Sequence, residues 1–95
     1  MKRQTPGLPS KLKAKLKRVN KHLNKFGGKD LTEEQAMCFS WYHPCQSGFE
    51  AGSVAFDISG ADYKKYSRAS TRYYHWIGDA LLEISHFAFP GIDHR

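Results

Sequence analysis

Between Ser10 and Gly28 the apolar residues recur as Leu12, Leu16, Val19, Leu23 and Phe26, at spacings of four, three, four and three. An α-helix with one buried side produces that rhythm, and a strand does not. Ser10 stands where an N-cap would start the helix at Lys11, and Gly27-Gly28 stands where glycine ends one. The charged residues of this segment are Lys11, Lys13, Lys15, Lys17, Arg18, Lys21 and Lys25. Lys11/Lys15, Lys13/Lys17, Lys17/Lys21 and Lys21/Lys25 are like-charge pairs four residues apart, each costing an isolated helix about 0.2–0.5 kcal/mol. Packing of the leucine stripe must offset this, or an anion must bind.

The charge distribution isolates this helix from the rest of the chain. Residues 1–29 hold 10 of the 15 basic residues and no acid, whereas residues 30–95 hold 5 basic and 9 acidic residues, a net −4 within an overall +6. A basic segment joined to a mildly acidic body points to a polyanionic partner. The competing readings are a solvated basic face and a segment docked on its own acidic body. Met1 to Pro9, with two prolines and a glycine, reads as a mobile basic arm ahead of one compact domain over residues 10–95.

Leu31-Thr32-Glu33-Glu34-Gln35-Ala36 carries a capping box: Thr32 caps, Gln35 returns the bond, and Leu31 staples onto Ala36. The helix would run to about His43, where Pro44 blocks simple continuation. Phe39, Trp41 and Tyr42 make a strand over 38–42 the competing reading. Residues 45–52, rich in glycine and serine, read as a loop. Residues 53–58 alternate, with Val54, Phe56 and Ile58 on one face of a strand. That strand needs a partner: residues 38–42, or a second copy of the chain in a homodimer. Beyond Ser59 and Asp62, the residues Tyr63, Tyr66, Tyr73, Tyr74, Ile77, Ala80, Leu81, Ile84, Phe87 and Ala88 share one helical arc. One long helix over 61–88 fits, as do two helices breaking near Ser70-Thr71. The expected architecture is therefore α+β and mainly helical, with one strand; an all-α small bundle is the alternative.

Several constellations bear on chemistry. Lysine acts on a phosphate as a point charge, so the 11–26 helix would grip a nucleic-acid backbone and read little sequence. Lys65, Arg68, Arg72 and His75 form a second basic stripe, opposite the apolar arc of the last helix. Aromatic and basic residues interleave from Tyr63 to Trp76, as in single-strand binders, but the tyrosines fall on the core arc and only Trp76 lies at its edge. Cys38, His43 and Cys45 are zinc-ligand types at a spacing that matches no zinc module, so the expected metal content is none. Cys45 beside His43 is a conceivable nucleophile and base without an orienting third group. His75 and Asp79, four apart, are helix salt-bridge partners.

No nucleophile elbow, phosphate loop or His-Glu-x-x-His motif occurs, so neither a catalytic role nor a cofactor is expected. The basic amphipathic helix also resembles an interfacial membrane helix, but its stripe lacks tryptophan. No run of 18 apolar residues occurs, and the first ten residues lack the apolar core of a secretory signal. Two cysteines and no signal suit a reducing, cytoplasmic setting. The expected function is a small non-enzymatic protein gripping nucleic-acid phosphates through Lys11, Lys13, Lys15, Lys17, Arg18, Lys21 and Lys25, with Lys65, Arg68 and Arg72 as a second contact. The alternative is an inhibitor or adaptor, of the size of a viral or phage accessory protein, that occupies an acidic or nucleic-acid-binding surface of a larger protein.

Overall fold

The computed structural model describes residues 8–45, 47–62 and 71–90, the side chains of residues 71 and 72 excepted. Five helices form among them: α1 (Ser10–Lys25), α2 (Glu33–Met37), α3 (Phe39–Tyr42), α4 (Gly48–Ser59) and α5 (Thr71–Ala88). No strand occurs among the described residues, so the fold is all-helical and the α+β expectation is overturned. α5 packs against each of the other four helices and forms the centre of the core.

α1 follows its apolar rhythm. Leu12, Leu16, Val19 and Leu23 are buried, and Phe26 packs half-buried against the same core. Its N-cap is Pro9, which makes no side-chain cap, rather than Ser10, the first helical residue. Leu8, placed in the arm on sequence grounds, is buried in the core. At the other end Gly27 takes φ +85, Gly28 N–H donates to the Leu23 carbonyl and Gly27 N–H to that of Asn24. This is a Schellman termination, and the left-handed residue it requires is the reason for glycine there. Four buried aliphatic side chains contribute about 6–12 kcal/mol, against about 1–2 kcal/mol for the four lysine repulsions. Packing therefore holds α1 in place without any ligand.

Two asparagines fasten the chain that leaves α1. Asn20 accepts from Leu31 N–H at 2.8 Å and donates to the Leu31 carbonyl at 3.0 Å, and Asn24 donates to the Gly28 carbonyl at 2.9 Å. Thr32 then starts α2 with the expected capping box: its hydroxyl accepts from Gln35 N–H, and Gln35 Oε1 accepts from Thr32 N–H. The path to His43 stays helical but is re-aimed at Cys38. Trp41 N–H bonds Cys38 rather than Met37, and Ser85 of α5 inserts its hydroxyl at the break. Ser85, fully buried, donates to the Met37 carbonyl at 3.1 Å and accepts from Ser40 N–H at 3.2 Å. This polar insertion from a distant helix splits the expected single helix, and the competing strand over 38–42 is not formed.

The largest departure is α4. Ser47 caps it by accepting from Glu50 N–H, and the expected loop and strand are one continuous helix. Its buried residues are Gly48, Ala51, Gly52, Ala55, Phe56 and Ser59, a helical set built of small side chains. Val54 is half-buried and Ile58 exposed, so the apparent alternation with Phe56 is unused. α4 runs antiparallel to α5, and the two backbones nearly touch. A Cβ on Gly78 would overlap the Gly48 carbonyl oxygen, 2.6 Å from its carbon and 2.7 Å from the Gly52 nitrogen, and a Cβ on Gly52 would overlap the Tyr74 carbonyl oxygen.

Gly60 ends α4 at φ +79 with the same pair of backbone bonds that ends α1. The two exits are stitched together: Lys29 N–H donates to the Ser59 carbonyl at 2.8 Å and Asp62 N–H to that of Phe26 at 2.7 Å. The expected start of the last helix, at 61–70, falls mostly outside the described residues, which resume at Thr71.

Candidate anion-binding face

The stripe that buries one side of α1 leaves its cations on the other three. Lys11, Lys13, Lys17, Arg18, Lys21 and Lys25 are exposed. Lys15 is different: half-buried, it forms an ion pair with Glu83 of α5. An exposed pair of this kind is worth about 0–1 kcal/mol, but it neutralises the one lysine nearest the stripe. Here the basic segment docks on an acidic residue of the body. Lys65 and Arg68 lie outside the described residues, as does the side chain of Arg72, so the second stripe is not placed.

Two flanks of α1 present the remaining charge differently. On the side toward α2, Lys13 and Lys17 border a shallow hollow of about 480 Å³ together with Ser10, Ala14, Leu16, Asn20 and Glu33. Glu33 supplies a negative charge there. On the side toward α5, Arg18, Lys21, His22 and Lys25 wall a cleft of about 250 Å³, and none of these four is acidic. Arg18 lies over the Trp76 ring, its guanidinium carbon 5.6 Å from the centroid. The His22 ring is 4.9 Å from that of Tyr73 and 5.7 Å from that of Trp76. These aromatic contacts hold two of the four side chains, Arg18 and His22, against α5. His22 has its pKa lowered by burial first, and then by Lys25, Arg18 and Lys21.

Trp76 is thus a half-buried support for a cation rather than a stacking platform, and Tyr73 and Tyr74 pack against the core. Tyr74 meets Phe49 and Phe56 edge-on. The exposed rings stand elsewhere: Trp41 is 61% and Tyr42 69% accessible, with Trp41 edge-on to Phe89 at 6.2 Å. His22 was absent from the residues singled out by charge. Its signal was its wheel position, on the same flank as Arg18 and Lys25.

The sulfur candidates do not form a reactive pair. Cys45 Sγ donates to the backbone carbonyl of His43 at 3.1 Å, not to its ring, and burial, followed by Glu50, raises the thiol pKa. A raised pKa keeps the poorly nucleophilic thiol form. Cys38 and Cys45 are both free thiols, and the described residues contain no group of three or more His, Cys, Asp or Glu arranged to hold a metal ion. His75 packs on Phe49, while Asp79 lies over Gly48 in the first turn of α4. No described helix is long and apolar enough to cross a membrane.

Comparison of the chain with protein-family models, with curated proteins and with solved structures returned no match.

Proposed function

We propose that the protein is a non-enzymatic binder of nucleic-acid backbone, gripping phosphates through the exposed cations of α1. The observation that carries this reading is a helix already held by its leucine stripe that displays Lys11, Lys13, Lys17, Arg18, Lys21 and Lys25, with Glu33 beside the Lys13/Lys17 flank and Glu83 paired with Lys15 on the α5 flank. The lysine repulsions confer no stability, and a phosphate backbone relieves them by displacing counterions. Lysine-dominated contacts give affinity with little base selection. The test is titration with unrelated DNA and RNA sequences at several salt concentrations. A duplex that meets one side of the helix would neutralise about three phosphates, giving a log–log salt slope of about −3 with little sequence preference. Binding that is absent at low salt, or insensitive to salt, overturns the reading.

A second reading, an adaptor or inhibitor docking on a larger protein, is favoured by the exposed rings of Trp41 and Tyr42. Aromatic side chains of this kind anchor protein interfaces. It requires a stoichiometric complex with one protein that survives nuclease and is weakened by Trp41→Ala.

A further inference from the structure

We propose that the cleft walled by Arg18, Lys21, His22 and Lys25 is a discrete phosphate site, the point at which the basic face of α1 holds one phosphate group. The inference deepens the nucleic-acid reading above and rests on it for the source of that phosphate. Four observations support a site rather than a diffuse field. The four side chains sit on about two turns of a helix and converge on one concavity of about 250 Å³, room enough for a phosphate group. Arg18 and His22 are held from behind by Trp76 and Tyr73, so part of the ordering cost is met before a ligand arrives. Among the described residues that line it none is acidic, in contrast to the Lys13/Lys17 hollow with its Glu33. Arg18 offers a planar fork and the lysines offer point charges, the two donor types that phosphate oxygens accept.

The helix dipole opposes an anion at this place. The cleft lies in the C-terminal half of α1, where the helix dipole amounts to about half a negative charge. Three full positive charges surround the same space, so the local potential stays positive. His22 is the fourth group, and its protonation follows from the geometry. It faces Arg18, Lys21 and Lys25 on its own helix, and Tyr73 and Trp76 on α5. In the free protein burial first, and then those cations, disfavour the imidazolium. A phosphate in the cleft reverses the Coulombic part and raises the His22 pKa. By linkage, phosphate-backbone affinity rises as pH falls through the histidine range. Phosphodiesters do not titrate there, so the dependence belongs to the protein.

The experiment follows the imidazole proton signals of the full-length protein by NMR against pH, alone, with inorganic phosphate, and with a short oligothymidylate. Expected is a rise in the His22 pKa with either probe, larger than for His43, His75 or His86. It should disappear in the double variant Lys21→Gln/Lys25→Gln, whose exposed positions leave the fold intact. That variant should weaken oligothymidylate binding by about tenfold more than Lys13→Gln/Lys17→Gln, which removes the same charge from the other flank. His22→Gln should flatten the pH dependence of binding. Oligothymidylate that binds while His22 does not move, or equal losses from the two double variants, overturns the cleft and leaves the diffuse basic face standing. A His22 response to inorganic phosphate alone supports the cleft but removes nucleic acid as its source. No response and no binding with either probe removes both.

Discussion

α1 and α4 both lie along α5, one by side chains and the other by backbone. α1 docks through Leu12, Leu16, Val19 and Leu23, whose branched side chains fill the space between two well-separated helices. α4 docks through Gly48, Ala51, Gly52 and Ala55, so closely that Gly78 of α5 has no room for a methyl group. The first contact keeps the polar surfaces of α1 far enough from α5 for long cations to line the rim. The second leaves no rim at all. The candidate binding face lies beside the side-chain interface because only there can Arg18 and His22 reach over Trp76 and Tyr73 and still meet solvent.

The difference can be broken most severely at Gly78. Leucine there would push Gly48 and Gly52 apart by more than a methyl group, and no flexible side chain is available to yield. Gly78→Leu is expected to abolish the cooperative thermal transition followed by circular dichroism, the far end of the overpacking range. Gly78→Ala separates the two influences on that position. In an open helix alanine would gain about 1 kcal/mol over glycine. Against the Gly48 carbonyl it should instead lose more than about 2 kcal/mol in urea unfolding. A stabilised Gly78→Ala variant would mean that the helices are not in backbone contact.

On the other interface, Leu23→Ala removes a fully buried side chain of the stripe and should cost about 2–5 kcal/mol. Because the stripe orients the cations, the variant should also reduce oligonucleotide affinity under conditions where it is still mostly folded. Ser85→Ala tests the junction of α5 with α2 and α3. It orphans the Met37 carbonyl and Ser40 N–H together, an expected loss of about 1–3 kcal/mol in the same unfolding assay. Gly48→Ala is milder than either change at Gly78. Its new methyl meets mainly the Asp79 carboxylate, which can swing away, so a fraction of the Gly78→Ala cost is expected.

The smallest effect is electrostatic and sits at the rim of α1. The His22 pKa is lower in the folded than in the unfolded chain. The unfolded state therefore takes up the proton first, and stability falls as pH drops from the ordinary histidine range toward the lowered value. His22→Gln should reduce that part of the acid destabilisation, measured as the midpoint of urea unfolding against pH. Saturating phosphate should reduce it also, if the cleft is occupied.

The contrast between the two interfaces also accounts for what was legible beforehand. The α1 helix, its stripe, its glycine stop and the Thr32–Gln35 capping box all follow from interactions within a few residues. α4 was misread because, apart from Phe56, its buried face consists of the small residues Gly48, Ala51, Gly52, Ala55 and Ser59, which carry little hydropathy signal. Val54, Phe56 and Ile58, by contrast, imitate a strand. Glycine reads as a breaker in isolation and becomes an asset only when another backbone arrives at contact distance. The break at Cys38 was equally hidden, since the hydroxyl that fills it comes from Ser85.

For the candidate site, the cations of α1 were plain from the charge pattern, but their grouping was not. Sequence placed Lys15 with the binding residues but did not show that Glu83, far along the chain, pairs with it. Sequence left His22 unmarked, and Tyr73 and Trp76 bring it into the cleft. What the sequence by itself determined is the amphipathic helix, its excess of positive charge and the turn chemistry at its ends, because local spacing dictates them. What only the tertiary structure decided is which glycines are contacts, where the helical path bends and which cations share a cavity, because each depends on atoms brought together from opposite ends of the chain.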